Sequence, residues 1–203
     1  MKHRWTDNLR SPIALLLFFG VAAIGLTADL WSKAAAKARL DDGEIVHFIP
    51  NVLNFTYTEN RGAVFGLGQG QQTLFLIVSV GAIAFLIFLF LSSGKSRIYQ
   101  LILGMLLAGV LGNMYDRVAF GYVRDMIHAL PGWHWPSWVV ERLPHSWQPP
   151  LGRELEVFPW IFNIADSLLC TGVAAMLVFS FISEFRRKHE SDPAQVNASP
   201  EKA

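Results

Sequence analysis

The chain has 203 residues, 52% hydrophobic and only 16% charged, with a formal net charge of +1. So apolar a composition excludes an ordinary soluble domain, and a net charge near zero leaves no basic field to favour nucleic acid as a partner. The single cysteine, Cys170, excludes an internal disulfide and reads as a buried, inert thiol.

The chain opens with a polar, basic segment holding Lys2, Arg4 and Arg10, and Ile13–Ala28 is then apolar apart from Thr27. A basic start before an apolar run also describes a cleaved signal peptide. This run is long for one, and it continues without a break through Asp29-Leu30-Trp31-Ser32-Lys33 into Ala34–Leu40, so it reads as a retained helix that leaves the bilayer near Trp31. Asp41-Asp42-Gly43 stops it. The stretch from Val46 to Gly70 differs in kind. Asn54-Phe55-Thr56-Tyr57-Thr58 alternates polar residues with aromatic or β-branched ones, the period of a half-buried strand, and glycines at 62, 66, 68 and 70 punctuate the chain beyond it. This predicts a small sheet-and-loop platform on the membrane.

Leu74–Leu91 is a second span, Ser92–Arg97 a short basic turn, and Ile98–Gly112 a third span in which Gly104, Ala108 and Gly112 recur at the spacing that lets membrane helices pack closely. Asn113-Met114-Tyr115-Asp116-Arg117 ends it. A strand-like piece, Gly121–Asp125, precedes a Trp- and Pro-rich middle, and the last apolar run, Trp160–Ile182, is followed by Arg186-Arg187-Lys188 and a polar tail.

Four spans put both termini on one side. The start, the Lys95/Arg97 turn and Arg186–Lys188 are all basic and share that side, so the positive-inside rule predicts cytoplasmic termini, with the platform and the Trp-rich segment outside. None of the seven tryptophans lies deep in a span, as interfacial belts require. The outer end then collects the unusual polar residues: Asp29 and Lys33 on one face of the first helix, Asn60 and Arg61 on the platform, Asn113, Asp116 and Arg117 after the third span, Asp125, and Asn163 with Asp166 at the start of the fourth. An acid inside a spanning segment is costly and marks function by default, which singles out Asp166; Asp29–Lys33 can also be read as an interfacial ion pair, and Asp116 and Arg117 as a helix end in water. Two carboxylates sharing a site cannot both ionise easily, so Asp125 with Asp166 would hold one proton near neutrality and divide base and acid roles as an aspartic protease does. The histidines lack metal-ligand spacing, no Ser or Cys is paired with a base in a recognisable motif, and there is no phosphate loop. The rival reading from the residues is a small proton-coupled membrane transporter component relaying protons through Asp29 and Asp166.

Asp29–Lys33, Asn54–Gly66, Gly112–Arg117, Val123–Asp125 and Phe162–Ser167, in that order against four spans, resemble the lipoprotein signal peptidase (signal peptidase II) family over roughly residues 12–185. The resemblance implies an aspartic endopeptidase of the bacterial inner membrane that removes signal peptides from diacylglyceryl-modified prolipoproteins. Its catalytic aspartates fall on Asp125 and Asp166, and its supporting and substrate-binding residues on Asn60, Arg61, Asn113, Arg117, Asn163, Asp29 and Lys33. It implies no metal or cofactor, contact with membrane lipid, no nucleic acid, and a monomer. Two departures stand out: Met126 replaces a usual Phe, and the segment between the aspartates is longer than the family leads one to expect. The expected fold is an all-α membrane protein of four helices with a small β platform on its outer face. It forms one domain over 1–188, with spans at about 13–31, 74–91, 98–114 and 160–182, outer segments at about 41–70 and 118–158, and a polar disordered tail over 189–203.

Overall fold

The computed structural model describes residues 7–40, 44–62, 71–144 and 154–190, with side chains of the last helix to Arg186. The basic start at Lys2 and Arg4, the stop at Asp41–Gly43, the glycine-rich run beyond Gly62 and most of the tail lie outside the described residues. Among the described residues, four helices are long and apolar enough to cross a membrane: Pro12–Arg39, Gln72–Ser92, Arg97–Phe120 and Ile164–Arg186, the last continuing to Glu190. The second and third carry their apolar residues around the whole circumference, as a helix surrounded by lipid and by other helices requires.

The third helix is central. Of its apolar window 56% is buried, against 11% for the second helix and 6% for the fourth. Its small residues make this possible. A Cβ at Gly104 would lie 2.6 Å from the carbonyl oxygen of Phe18 in the first helix, and one at Gly109 would lie 2.6 Å from that of Ala165 in the fourth. Ala108 is fully buried and faces Gly25 of the first helix. The spaced small residues are therefore where neighbouring backbones dock. Below the polar end, Phe18, Phe90, Leu103, Leu106 and Leu107 form the apolar core. Cys170 corrects an expectation: its side chain is exposed, because the fourth helix buries only a narrow face against the third and Cys170 points away from it.

Two helix boundaries also differ from expectation. The third helix does not stop near 114 but runs to Phe120, because Asn113, Asp116 and Arg117 find partners inside the protein and need no water. Gly121, with φ +82°, ends it in the left-handed conformation that suits glycine, its amide donating to the Arg117 carbonyl at 3.2 Å. The first helix runs to Arg39, as its unbroken continuation through Ala34–Leu40 leads one to expect, and it contains a π-helical turn at Leu16–Gly20. The fourth begins at Ile164 and not at Trp160, because Ile161 and Phe162 are extended and pair with His128 and Ile127.

The platform is a four-stranded antiparallel sheet in the order β1 (Ile45–Ile49), β2 (Leu53–Asn60), β3 (Val123–Ala129) and β4 (Ile161–Phe162). The piece expected to end at Asp125 continues to Ala129, placing Asp125 mid-strand opposite Thr58. The sheet sits at the end of the bundle where the third helix finishes and the fourth starts. At the opposite end, Asn8 donates to the Phe90 carbonyl at 2.6 Å and Gln100 to the Gly94 carbonyl at 2.9 Å, closing the turn between the second and third helices.

Candidate active site

Asn163 is the residue on which the site turns. It caps the fourth helix: its side-chain oxygen accepts from the Asp166 amide at 2.9 Å, and Asp166 Oδ2 accepts from the Asn163 amide at 3.3 Å. This reciprocal capping box satisfies two otherwise orphaned donors and sets a carboxylate against the positive helix end. Asp166 thus enters an apolar helix at the one turn where an acid is locally favoured. The Asn163 side-chain Nδ2 then reaches across to Asp125 Oδ1, donating at 2.6 Å.

Asp125 is 1% exposed. Its second oxygen accepts from Asn60 Nδ2 at 3.0 Å. The strand register explains the pairing, because β2 runs beside β3 and ends at Asn60. Burial, and then the negative charge of Asp166, push the Asp125 carboxyl up to about 7; the Asn60 and Asn163 donors and the Lys33 charge act in the opposite direction. Asp166 is half-buried, and its Oδ1 accepts from Asn113 Nδ2 at 2.8 Å.

Asn113 joins the two carboxylates to a buried charge cluster. Its Oδ1 accepts from Lys33 Nζ at 3.1 Å and from Asn163 Nδ2 at 3.2 Å, which leaves its amide nitrogen to face Asp166. Lys33 pairs with Asp29 at 2.7 Å and lies 3.4 Å from Asp116, all three with fully buried side chains. Arg124 completes the cluster, donating to Asp116 through Nη2 at 2.7 Å, through Nε at 3.2 Å and through its backbone amide at 3.0 Å. Two acids thus face two cations, the condition under which buried charge is tolerated. Asp29 does more than pair: its Oδ1 accepts from the Ala165 amide at 2.8 Å, holding the first turn of the fourth helix. The Asp29–Lys33 pair is accordingly interior, and neither it nor Asp116 is an exposed helix-end charge.

Arg117 lies over the Phe75 ring at 4.9 Å and donates to the Asn113 carbonyl at 3.3 Å and the Gly62 carbonyl at 3.2 Å, tying the chain after β2 to the third helix. Arg61 is not drawn in. It is exposed, paired with Glu59 at 3.2 Å, and lies over Tyr122. Of the sequence candidates, the structure therefore gathers Asp125, Asp166, Asn60, Asn113, Asn163, Asp29, Lys33 and Arg117 into one network and leaves Arg61 at its edge. Arg124 is the member that sequence reasoning passed over, and Asp116, counted among the gathered polar residues but not among the site residues, is the other addition. Asp116 lies three residues after Asn113 on the same helix face, which is a signal; Arg124 beside Asp125 carries none.

The acids within the spans, Asp29, Asp116 and Asp166, cluster at the sheet end, with Glu184 at the far end of the fourth helix, which is not a path of acids through the bundle. Among the described residues no group of three or more His, Cys, Asp or Glu is placed to hold a metal ion. The arrangement offers two carboxylates, one fully buried and one half-open, linked by Asn163 and Asn113.

The family profile described as signal peptidase (SPase) II matches residues 21–182. A lipoprotein signal peptidase of Rhodopirellula baltica is 35% identical over 87% of this chain and 76% of its own length. One of Anoxybacillus flavithermus is 32% identical over 89% of this chain and 94% of its own. Among solved structures, a bacterial membrane enzyme superposes with a TM-score of 0.66 at 26% identity, covering 85% of this chain and 90% of that one. The chain belongs to the signal peptidase II family of proteases.

Proposed function

We propose that this protein is the endopeptidase that removes the signal peptide from diacylglyceryl-modified prolipoproteins, with Asp125 and Asp166 as its catalytic dyad. The observation that carries the dyad is the Asn163 side chain, which donates to Asp125 and accepts from the Asp166 backbone in one compact network. Burial pushes the Asp125 carboxyl up to about 7, which suits it to carry the proton of the pair, and Asp166 takes the part of the base. Asp166 takes a proton from water as the oxygen attacks the scissile carbonyl carbon, and Asp125 donates its proton to the carbonyl oxygen. Collapse of the resulting diol returns that proton to Asp125. Asp166 protonates the leaving amine as the C–N bond breaks.

Asn60 and Asn163 orient Asp125, Asn113 orients Asp166, and Lys33 with Asp29, Asp116 and Arg124 holds the helix ends that carry them. The dyad faces the outer surface of a bacterial inner membrane and both termini are cytoplasmic, a reading supported by the basic turn and helix ends opposite the sheet. The protein works as a monomer with its substrate presented from the lipid.

Cleavage of a purified diacylglyceryl prolipoprotein tests the reading. Asp125→Asn and Asp166→Asn should each lose nearly all activity, and the double variant should be scarcely worse, because the two carboxyls act as a unit. Wild-type turnover by either single variant would remove that residue from the chemistry.

A further inference from the structure

The proposed chemistry leaves unused the chain between β3 and β4. Its root is built. Leu130 (φ 53°) and Gly132 (φ 79°) turn the backbone through the left-handed region, and the Leu130 amide donates to the Val52 carbonyl at 2.8 Å, pinning the turn to the β1–β2 hairpin. Two short runs then pair: the Val157 amide donates to the Trp133 carbonyl at 2.7 Å and the Trp135 amide to the Leu155 carbonyl at 2.8 Å, with His134 opposite Glu156. A helical turn, Ser137–Val140, follows. This is a two-stranded arm with its own hydrogen bonds.

The arm does not use its largest side chains to make a core. Trp133 is 53% exposed, Trp135 44% and Trp138 59%. Three exposed tryptophans within so short a stretch need a partner. Placement identifies it. β3 leaves the third helix at Gly121 and, by Ile127, is paired with Phe162, which leads straight into the fourth helix. Both of those helix ends lie at the same end of the bundle, and β3 lies between them in the chain pairing. The chain leaves β3 at Ala129 next to the strand that leads into the fourth helix, whose outer face exposes Val173, Leu177 and Phe181.

Charge narrows the mode of contact. Residues 131–159 contain Glu141, Glu154 and Glu156 against Arg142 and Arg153, a net of −1 with histidine neutral. That excludes polybasic attraction to anionic lipid. Tryptophan, with an apolar body and one N–H donor, is the side chain that favours headgroup depth without charge. We propose that this arm is an interfacial anchor, laying Trp133, Trp135 and Trp138 into the phospholipid headgroup region next to the fourth helix.

The test uses the full chain in phosphatidylcholine nanodiscs, with Trp5, Trp31, Trp147 and Trp160 replaced by Phe so that only the arm emits. Lipid brominated on the acyl carbons nearest the glycerol should quench that emission, and aqueous iodide should quench it little. Iodide quenching without bromolipid quenching would overturn the proposal, including the case in which the arm serves a soluble partner protein. Should the multiple variant fold poorly, Trp138→Cys with Cys170→Ser takes a nitroxide label. Greater collision of the label with oxygen than with a water-soluble nickel chelate is then the expected result, and the reverse order refutes the anchor.

Discussion

Replacing Asp125 by Asn should change how stability depends on pH, by an amount set by its burial. In the folded protein the Asp125 carboxyl is raised from 3.8 to about 7. A raised carboxyl contributes its stability below the unfolded value and loses it as pH climbs to the folded one. The wild type should therefore weaken between pH 4 and pH 7 and level off above. At about 1.4 kcal/mol for each pH unit, the loss between pH 5 and pH 8 is roughly 3 kcal/mol. For a chain of this size that is a fall in Tm of roughly 6–12 °C. Asp125→Asn removes the ionisation and with it this part of the pH slope. It also sets an amide N–H against one of the two donors, Asn60 or Asn163, at a cost of about 1–3 kcal/mol that does not vary with pH. The variant should be the less stable protein at pH 5, and should equal or surpass the wild type at pH 8. Thermal unfolding of both proteins in detergent at the two pH values measures this. Parallel slopes would refute the reasoning, since Asp125 would then not be a carboxyl held neutral by burial.

Lys33→Met should cost about 3–5 kcal/mol, because it strands Asp29 and Asp116 without their shared ammonium; the readout is Tm together with the yield of folded protein. Gly112→Ala should cost about 1–3 kcal/mol in Tm and lower turnover, because the new Cβ would collide with the Asp29 carboxylate that holds the fourth helix. Arg61→Ala, by contrast, should leave both Tm and cleavage close to wild type, its ion pair with Glu59 being exposed. A reporter fused after Lys188 should be cytoplasmic and one inserted at Trp138 external; a cytoplasmic Trp138 would overturn the proposed orientation.

The four helices were legible in the sequence because a membrane span must be apolar over about 20 residues, a demand that each stretch meets by itself. The docking role of Gly104 and Ala108 was legible for a similar reason: only small residues let helix backbones approach, so their spacing is local. Helix ends were less so. The third helix outruns its apolar stretch because Asp116 and Arg117 are satisfied by Arg124 and the Gly62 carbonyl, partners that hydropathy does not register. Cys170 shows the same limit from the other side, since an apolar run does not say which of its faces meets protein and which meets lipid.

For the site, sequence alone determined that acids and amides gather where spans meet the sheet, since such residues are too costly at the bilayer centre. Which of them touch was decided only by the tertiary structure. Asp29 holds the amide of Ala165, 136 residues away in the chain, Asn163 faces Asp125 only because β4 pairs with β3, and Arg61, beside Asn60 in sequence, points elsewhere. The free energy of moving a residue into lipid belongs to that residue and can be read along the chain. The free energy of a buried ion pair or amide contact belongs to two residues at a distance, and it exists only once packing has brought them together.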